Sequence, residues 1–138
     1  MLRGCINHLD LTVSDLAVSV PFYDALLGFL GFERRDPAAG GRPVWHARDE
    51  RLRLFGIALC EAAPQHRGKR HDRFAPGLHH VAFHAASRED VDALHHRLPQ
   101  IGAVILDPPA DYPQYGPVYY AVFFADPDGL KLEFVHMA

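Results

Sequence analysis

The feature that most constrains this chain is that it says one thing twice. The stretches Cys5-Ile6-Asn7-His8-Leu9-Asp10-Leu11-Thr12 and Gly77-Leu78-His79-His80-Val81-Ala82-Phe83-His84 each read as a short strand with a histidine early in it. His8 is followed six residues later by Ser14, then by a helical run and Gly31; His80 is followed seven residues later by Ser87, a helical run and Gly102. Strand, capped helix and terminating glycine, recurring at matching offsets, mark an internal duplication. The period of about 70 residues is too long for a solenoid unit, so two modules are expected to pair into one core.

A chain of 138 residues is one domain's worth, or two half-domains, and needs no staple. Its net charge of −3 gives no electrostatic case for nucleic acid or an anionic membrane. Met1 leads into a strand without the pattern of a signal peptide, and no apolar run is long enough to span a bilayer. Cys5 and Cys60 form no CxxC pair, which favours a reducing cytoplasm and buried thiols over a disulfide or a zinc knuckle. Ten histidines are the one compositional excess, and only their positions decide what they do.

From Cys5 to Val13 the residues alternate, with Ile6, His8, Asp10 and Thr12 on one face and Leu9, Leu11 and Val13 on the other. A polar inner face suggests a cavity. Ser14 can cap the following helix, in which Leu16, Val20, Tyr23, Leu26 and Leu27 keep helical spacing; a start near Ala17 or Val18 puts Pro21 in the first turn. A strand over Phe32 to Arg35 and a hairpin of Val44 to Ala47 with Leu52 to Cys60 complete the first module, residues 1–62.

Residues 63–76 read as an exposed linker rich in basic and histidine residues, with Arg73 or His71 placed to fold over a pocket mouth and meet an anion. A solvated basic loop is the simpler alternative. The second module, residues 77–138, opens at the His80 strand and continues through a capping box at Ser87 and Asp90 to a helix with Val91, Leu94 and Leu98 on one face. A strand from Ala103 to Leu106 precedes a long loop, Asp107 to Pro117, with four prolines and with Tyr112 and Tyr115. Val118 to Phe124 and Leu130 to Val135 pair across the tight turn Asp126-Pro127-Asp128-Gly129. Glu133, between Leu132 and Phe134, must face water or a partner.

The elements spell β-α-β-β-β twice, an α+β chain of tandem βαβββ modules. Here the chain resembles the vicinal oxygen chelate superfamily, which includes glyoxalase I, extradiol dioxygenases, fosfomycin-resistance thiol transferases and bleomycin-binding proteins. The resemblance rests on Ile6-Asn7-His8-Leu9-Asp10-Leu11-Thr12-Val13 with Phe22-Tyr23, on Leu78-His79-His80-Val81-Ala82-Phe83, and on Asp126-Pro127-Asp128-Gly129-Leu130-Lys131-Leu132-Glu133. It implies an incomplete, mixed and antiparallel barrel-like sheet around a cavity, with metal ligands at His8, His80 and Glu133.

Two histidines and a carboxylate suit a divalent first-row metal, iron, manganese, nickel or zinc, with open positions for substrate. Each residue also has a plainer role, as a hydrogen-bonded strand histidine or a salt-bridged glutamate. A fourth ligand, which glyoxalase I takes from the first module, falls near Ala58, which cannot bind metal; Glu61 fits only if the strand is shifted. His79, adjacent to His80, is expected on the opposite face, and His84 lies roughly 13 Å along the strand, beyond ligating reach.

The resemblance places Tyr119, Ala121 and Phe123 on the cavity wall. Tyr119 is the candidate donor to a bound oxyanion or acid/base, and Asp10 the candidate base or a residue orienting a ligand histidine. His46, Arg73 and Tyr115 complete the expected substrate-binding set.

Three activities follow from the resemblance. The first is a cytoplasmic, homodimeric, metal-dependent enzyme, dioxygenase-like or lyase/isomerase, acting on a small substrate chelated through vicinal oxygens. The second is a metal-free small-molecule binding protein of the bleomycin-resistance type. The third, a fosfomycin-type thiol transferase, ranks lower because Pro113 and Pro117 stand where cationic or hydroxyl residues are wanted.

Overall fold

Alternating strands and two capped helices give the chain its order of elements. The structure, a computed structural model, describes residues 3–37, 40–51 and 53–138. Contacts divide it into two compact units, residues 1–68 and 69–138. The first holds β1 (His8–Val13), α1 (Leu16–Phe29), β2 (Glu33–Arg34), β3 (Val44–Arg48) and β4 (Leu54–Glu61). The second holds β5 (His80–His84), α2 (Arg88–Arg97), β6 (Val104–Asp111), β7 (Tyr119–Ala125) and β8 (Lys131–Met137). The sheets have equivalent orders, β1-β4-β3-β2 and β5-β8-β7-β6, and each sets its first strand parallel to its last. The fold is therefore α+β with tandem βαβββ modules, as the sequence predicts. Each sheet is open rather than closed into a barrel.

In the first unit, alternation sends Leu11 and Val13 of β1 into the core with Ile57 and Leu59 of β4, where Phe22, Leu26 and Leu27 of α1 are also buried. Burying each such side chain contributes about 1.5–3 kcal/mol. The cap of α1 corrects the sequence reading. Asp15, not Ser14, accepts the Ala17 N–H at 2.8 Å, while the Ser14 hydroxyl accepts from Gly68 N at 3.1 Å. The helix consequently starts at Leu16, and Pro21 falls beyond its first turn, where the missing N–H removes an intrahelical bond. Leu52, the expected start of the fourth strand, lies outside the described residues; among those described, β4 begins at Leu54. Cys5 is exposed and Cys60 partly exposed, so neither is the buried thiol expected, and both are free.

In the second unit the capping box forms as read: Ser87 Oγ accepts from Asp90 N at 3.1 Å and donates to Asp90 Oδ2 at 3.2 Å. Val91, Leu94 and Leu98 are buried with Val122 and Phe124 of β7 and Leu132 and Phe134 of β8. The opposite faces of those strands carry Ala121 and Phe123, and Lys131, Glu133 and Val135. The expected Asp107 to Pro117 loop is another correction, because β6 runs on to Asp111. Register shifts at Ile105/Asp107 and Asp107/Ala110 fit Pro108 and Pro109 on an edge strand, where proline is tolerated.

Asp126 locks the β7–β8 turn. Its Oδ1 accepts from Asp128 N at 2.9 Å and Leu130 N at 2.8 Å. The linker residues following Gly68 brace that turn: Arg70 Nη1 donates to the Pro127 carbonyl at 2.6 Å and His71 N to the Asp128 carbonyl at 2.9 Å.

Candidate functional site

Strand alternation fixes the site in the second unit. Glu133 lies between Ala82 of β5 and Phe123 of β7, and His80 pairs with Lys131 one step back along β8. A carboxylate in the middle of a sheet loses its hydration, and Glu133 is only 2% exposed. It is partnered at both oxygens. The Tyr119 hydroxyl donates to Oε1, and His80 Nε2 stands 3.1 Å from Oε2. Ala121 and Val135 form the one same-face row between Tyr119 and Glu133.

Burial, then the bond to Glu133, pushes the Tyr119 phenol well above its ordinary range. Tyr112, packed against the same cluster, is raised chiefly by burial. The arrangement therefore keeps protons on its phenols.

A cavity of about 340 Å³ opens on this face. Tyr119, Phe123 and Glu133 line it together with His80, and Tyr115 and Lys131 stand at its walls. Ala121 is fully buried beneath, packed with Phe123, Val135 and the Tyr119 ring. Arg73 lies outside the lining residues. Its guanidinium stacks 4.9 Å from the Phe74 ring, which meets His79 edge-on at 5.9 Å.

His79 does not take the opposite face expected of it. Its Nδ1 is 2.8 Å from His80 Nδ1, and its ring lines the cavity. The physical reason is that β5 begins at His80, so strand alternation does not govern His79. Burial, followed by the neighbouring charges of His80, Lys131, Arg73 and His71, lowers the basicity of His79. Lys131 went unread in the sequence, although counting back two residues from Glu133 puts it on the same face.

The first unit has its own cavity, about 290 Å³, on the equivalent face. His8 of β1 and His46 of β3 both pair with Gly56 of β4. A Cβ on Gly56 would stand 3.2 Å from His46 Cδ2 and 3.4 Å from His8 Cβ, so glycine is what lets the two rings flank that position. His8 Nδ1 is 2.9 Å from Asn7 Oδ1. Asp10 is held by Arg42, Nη1 to Oδ2 2.9 Å, and the same nitrogen reaches Cys60 Sγ at 2.6 Å. Arg42 is a further residue that sequence reasoning missed, because it precedes a strand within a turn-rich connection. Glu61 is engaged by Arg67 at 3.2 Å.

The donor chemistry can be tested against a metal ion. Two ligands at right angles, each about 2.1 Å from one ion, stand about 3 Å apart. The 3.1 Å between His80 Nε2 and Glu133 Oε2 matches that, and a buried carboxylate beside an imidazole is a fitting donor pair. Among the described residues no group of three His, Cys, Asp or Glu side chains is placed to hold a metal, so the fit is that of a two-donor half-site. Nor is any described helix long and apolar enough to cross a membrane.

Known proteins bear out the architecture. A family model for the glyoxalase/bleomycin resistance protein/dioxygenase superfamily matches residues 5–134. The uncharacterized protein YqjT of Bacillus subtilis (strain 168) is 31% identical over 130 residues, covering 94% of this chain and 97% of its own. A candidate glyoxalase from Bacillus halodurans, solved by crystallography, superposes with a TM-score of 0.78 at 31% identity, covering 98% of this chain and 97% of that one. A glyoxalase/bleomycin resistance protein from Albidiferax ferrireducens T118 gives 0.67 at 27% identity, over 96% and 98% of the two chains. With the strand order, the paired histidine strands and the Asp-Pro-Asp-Gly turn already in place, the conclusion is direct: this chain belongs to the glyoxalase/bleomycin resistance protein/dioxygenase superfamily.

Proposed function

We propose that the protein is a metal-dependent enzyme, dioxygenase-like or lyase/isomerase, in which His80 and Glu133 hold a divalent first-row ion. The observation that carries this reading is the buried Glu133 carboxylate set 3.1 Å from His80 Nε2 at the floor of a small cavity. A bound ion of this kind acts as a Lewis acid toward neighbouring substrate oxygens. His80 must then carry its proton on Nδ1, donated to His79 Nδ1, which leaves Nε2 free. Tyr119, kept protonated, holds Glu133 by its other oxygen and presents a phenol beside the cavity. His8 opens β1 as His80 opens β5, and the family resemblance gives it the third ligand position. Superfamily membership supports a homodimer as the working form.

A metal-free binding protein is the second reading. It is favoured by the complete set of partners around Glu133, which leaves neither oxygen unsatisfied without an ion. Elemental mass spectrometry of natively purified protein, beside His80→Ala and His8→Ala variants, decides between them. The enzyme reading expects near-stoichiometric iron, manganese, nickel or zinc, lost on removing His80. Protein that is metal-free and refuses reconstitution with divalent ions sinks that reading in favour of the second.

A further inference from the structure

Lys131 gives the second unit's cavity a charge that its neighbours leave unneutralised. It opens β8 on the face of Glu133, beside His80 of β5 and Ala125 of β7. Its Nζ lies 4.1 Å from the centroid of the Phe123 ring, and among the described residues it pairs with no carboxylate. Glu133 does not serve, since Tyr119 and His80 occupy its two oxygens. A lysine ammonium on a cavity wall is partly stripped of water and gains from an anion brought to it.

The rest of the wall is aromatic. Tyr115 is 62% exposed, yet its backbone is held, N–H to the Tyr112 carbonyl at 3.0 Å, and Tyr112 N donates to the Tyr119 carbonyl at 2.8 Å. Its ring stacks on Tyr112 at 5.9 Å and 20° and meets Tyr119 at 5.3 Å and 61°. An exposed ring fixed beside a cavity is a surface on which another flat ring can stack. At about 340 Å³ the cavity is at the small end for ligand sites, enough for one ring with its substituents. Rings alone also attract organic cations, but the Lys131 ammonium on the same wall repels them.

We propose that this cavity binds a single-ring aromatic anion, its ring against Tyr115, Tyr119 and Phe123 and its ionised oxygen group toward Lys131. The inference deepens the enzyme reading by naming its substrate class. It shares the cavity of that reading but assigns Lys131 no part in holding metal, so the two are separable.

Calorimetric titration tests it, with benzoate, benzamide and cyclohexanecarboxylate as probes, on the full chain as purified and again after chelator treatment. Benzoate is expected to bind more tightly than the uncharged amide and than the non-aromatic acid in both preparations. Lys131→Met, which keeps an apolar stem over Phe123, is expected to weaken benzoate by about tenfold and leave benzamide unchanged. Lys131→Arg should restore most of the loss, and circular dichroism shows that each variant is folded. Failure of benzoate to bind, equal binding of benzoate and benzamide, or indifference to Lys131→Met overturns the proposal. Lysine-dependent benzoate binding in protein that takes up no metal would uphold it while sinking the metal reading.

Discussion

Arg70 lies over Gly129 so closely that a Cβ on the glycine would stand 2.9 Å from the guanidinium Nη2. Gly129 also has φ +87°, a left-handed conformation that side chains with a Cβ resist. The turn it closes sets the register in which Lys131 and Glu133 face the cavity. Gly129→Ala is therefore expected to lower stability by about 1–3 kcal/mol. Urea unfolding measures it. Arg70→Ala relieves the steric part but gives up the bond to the Pro127 carbonyl and leaves the positive φ in place, so the double variant should remain below the wild type; a midpoint unchanged by Gly129→Ala would refute the account.

The turn also shows what kind of information a sequence carries openly. Ser87 with Asp90, and Asp126 through Gly129, act through bonds to backbone groups two to four residues away, so their types and spacing were enough to read them. Ser14 failed the same test because Asp15 beside it is an equally good cap, and the Ser14 hydroxyl is drawn to Gly68 across the fold. Pro108 and Pro109 suggested a loop because nothing local says that β6 is an edge strand. In the site, Glu133 was legible as a polar residue in an apolar strand, and His80 through the repeat that matches its strand to that of His8. Lys131 sits on the same face but reads as ordinary surface, and what distinguishes it is that among the described residues it pairs with no carboxylate, a property of tertiary structure.

Asp24 offers a test of the first unit. Its Oδ1 accepts from Trp45 Nε1 at 2.9 Å and its Oδ2 from Arg34 at 2.7 Å. Trp45 is 1% exposed and is the chain's sole tryptophan. Its fluorescence should be blue-shifted and poorly quenched by acrylamide, reporting on this unit alone. Asp24→Ala leaves a buried indole N–H without its acceptor, at an expected cost of about 1–3 kcal/mol. An unfolding curve followed at Trp45 that does not move would show the bond to be replaceable by water.

Tyr120 is expected to titrate late. Its hydroxyl donates to Asp92 Oδ1 at 2.7 Å, and this bond, then partial burial, raises the phenol above its ordinary range. A phenol raised on folding favours the protonated form. Its contribution to stability is present below the unfolded value of about 10 and is lost as pH rises through the higher folded value. Asp92→Asn should shift one tyrosinate transition in the ultraviolet back toward the ordinary range; an identical titration in the variant would count against the bond.

Tyr119→Phe separates the two readings of the site. The change removes the donor to Glu133 Oε1 and leaves a carboxylate that is 2% exposed with His80 as its remaining partner. Without metal, the loss of a bond to a buried charged group should cost about 1–3 kcal/mol. If Glu133 is a ligand, Tyr119 also orients it and tunes its basicity, and losing such a partner lowers metal affinity about 10–100-fold. A competition titration against a coloured chelator, with nickel or zinc, reads that number directly. Weaker metal binding beside intact folding would mark Tyr119 as a positioning residue for a metal centre. A drop in stability in a protein that competes for no metal would assign the bond to the architecture of a binding pocket, and the enzyme reading would fall with it.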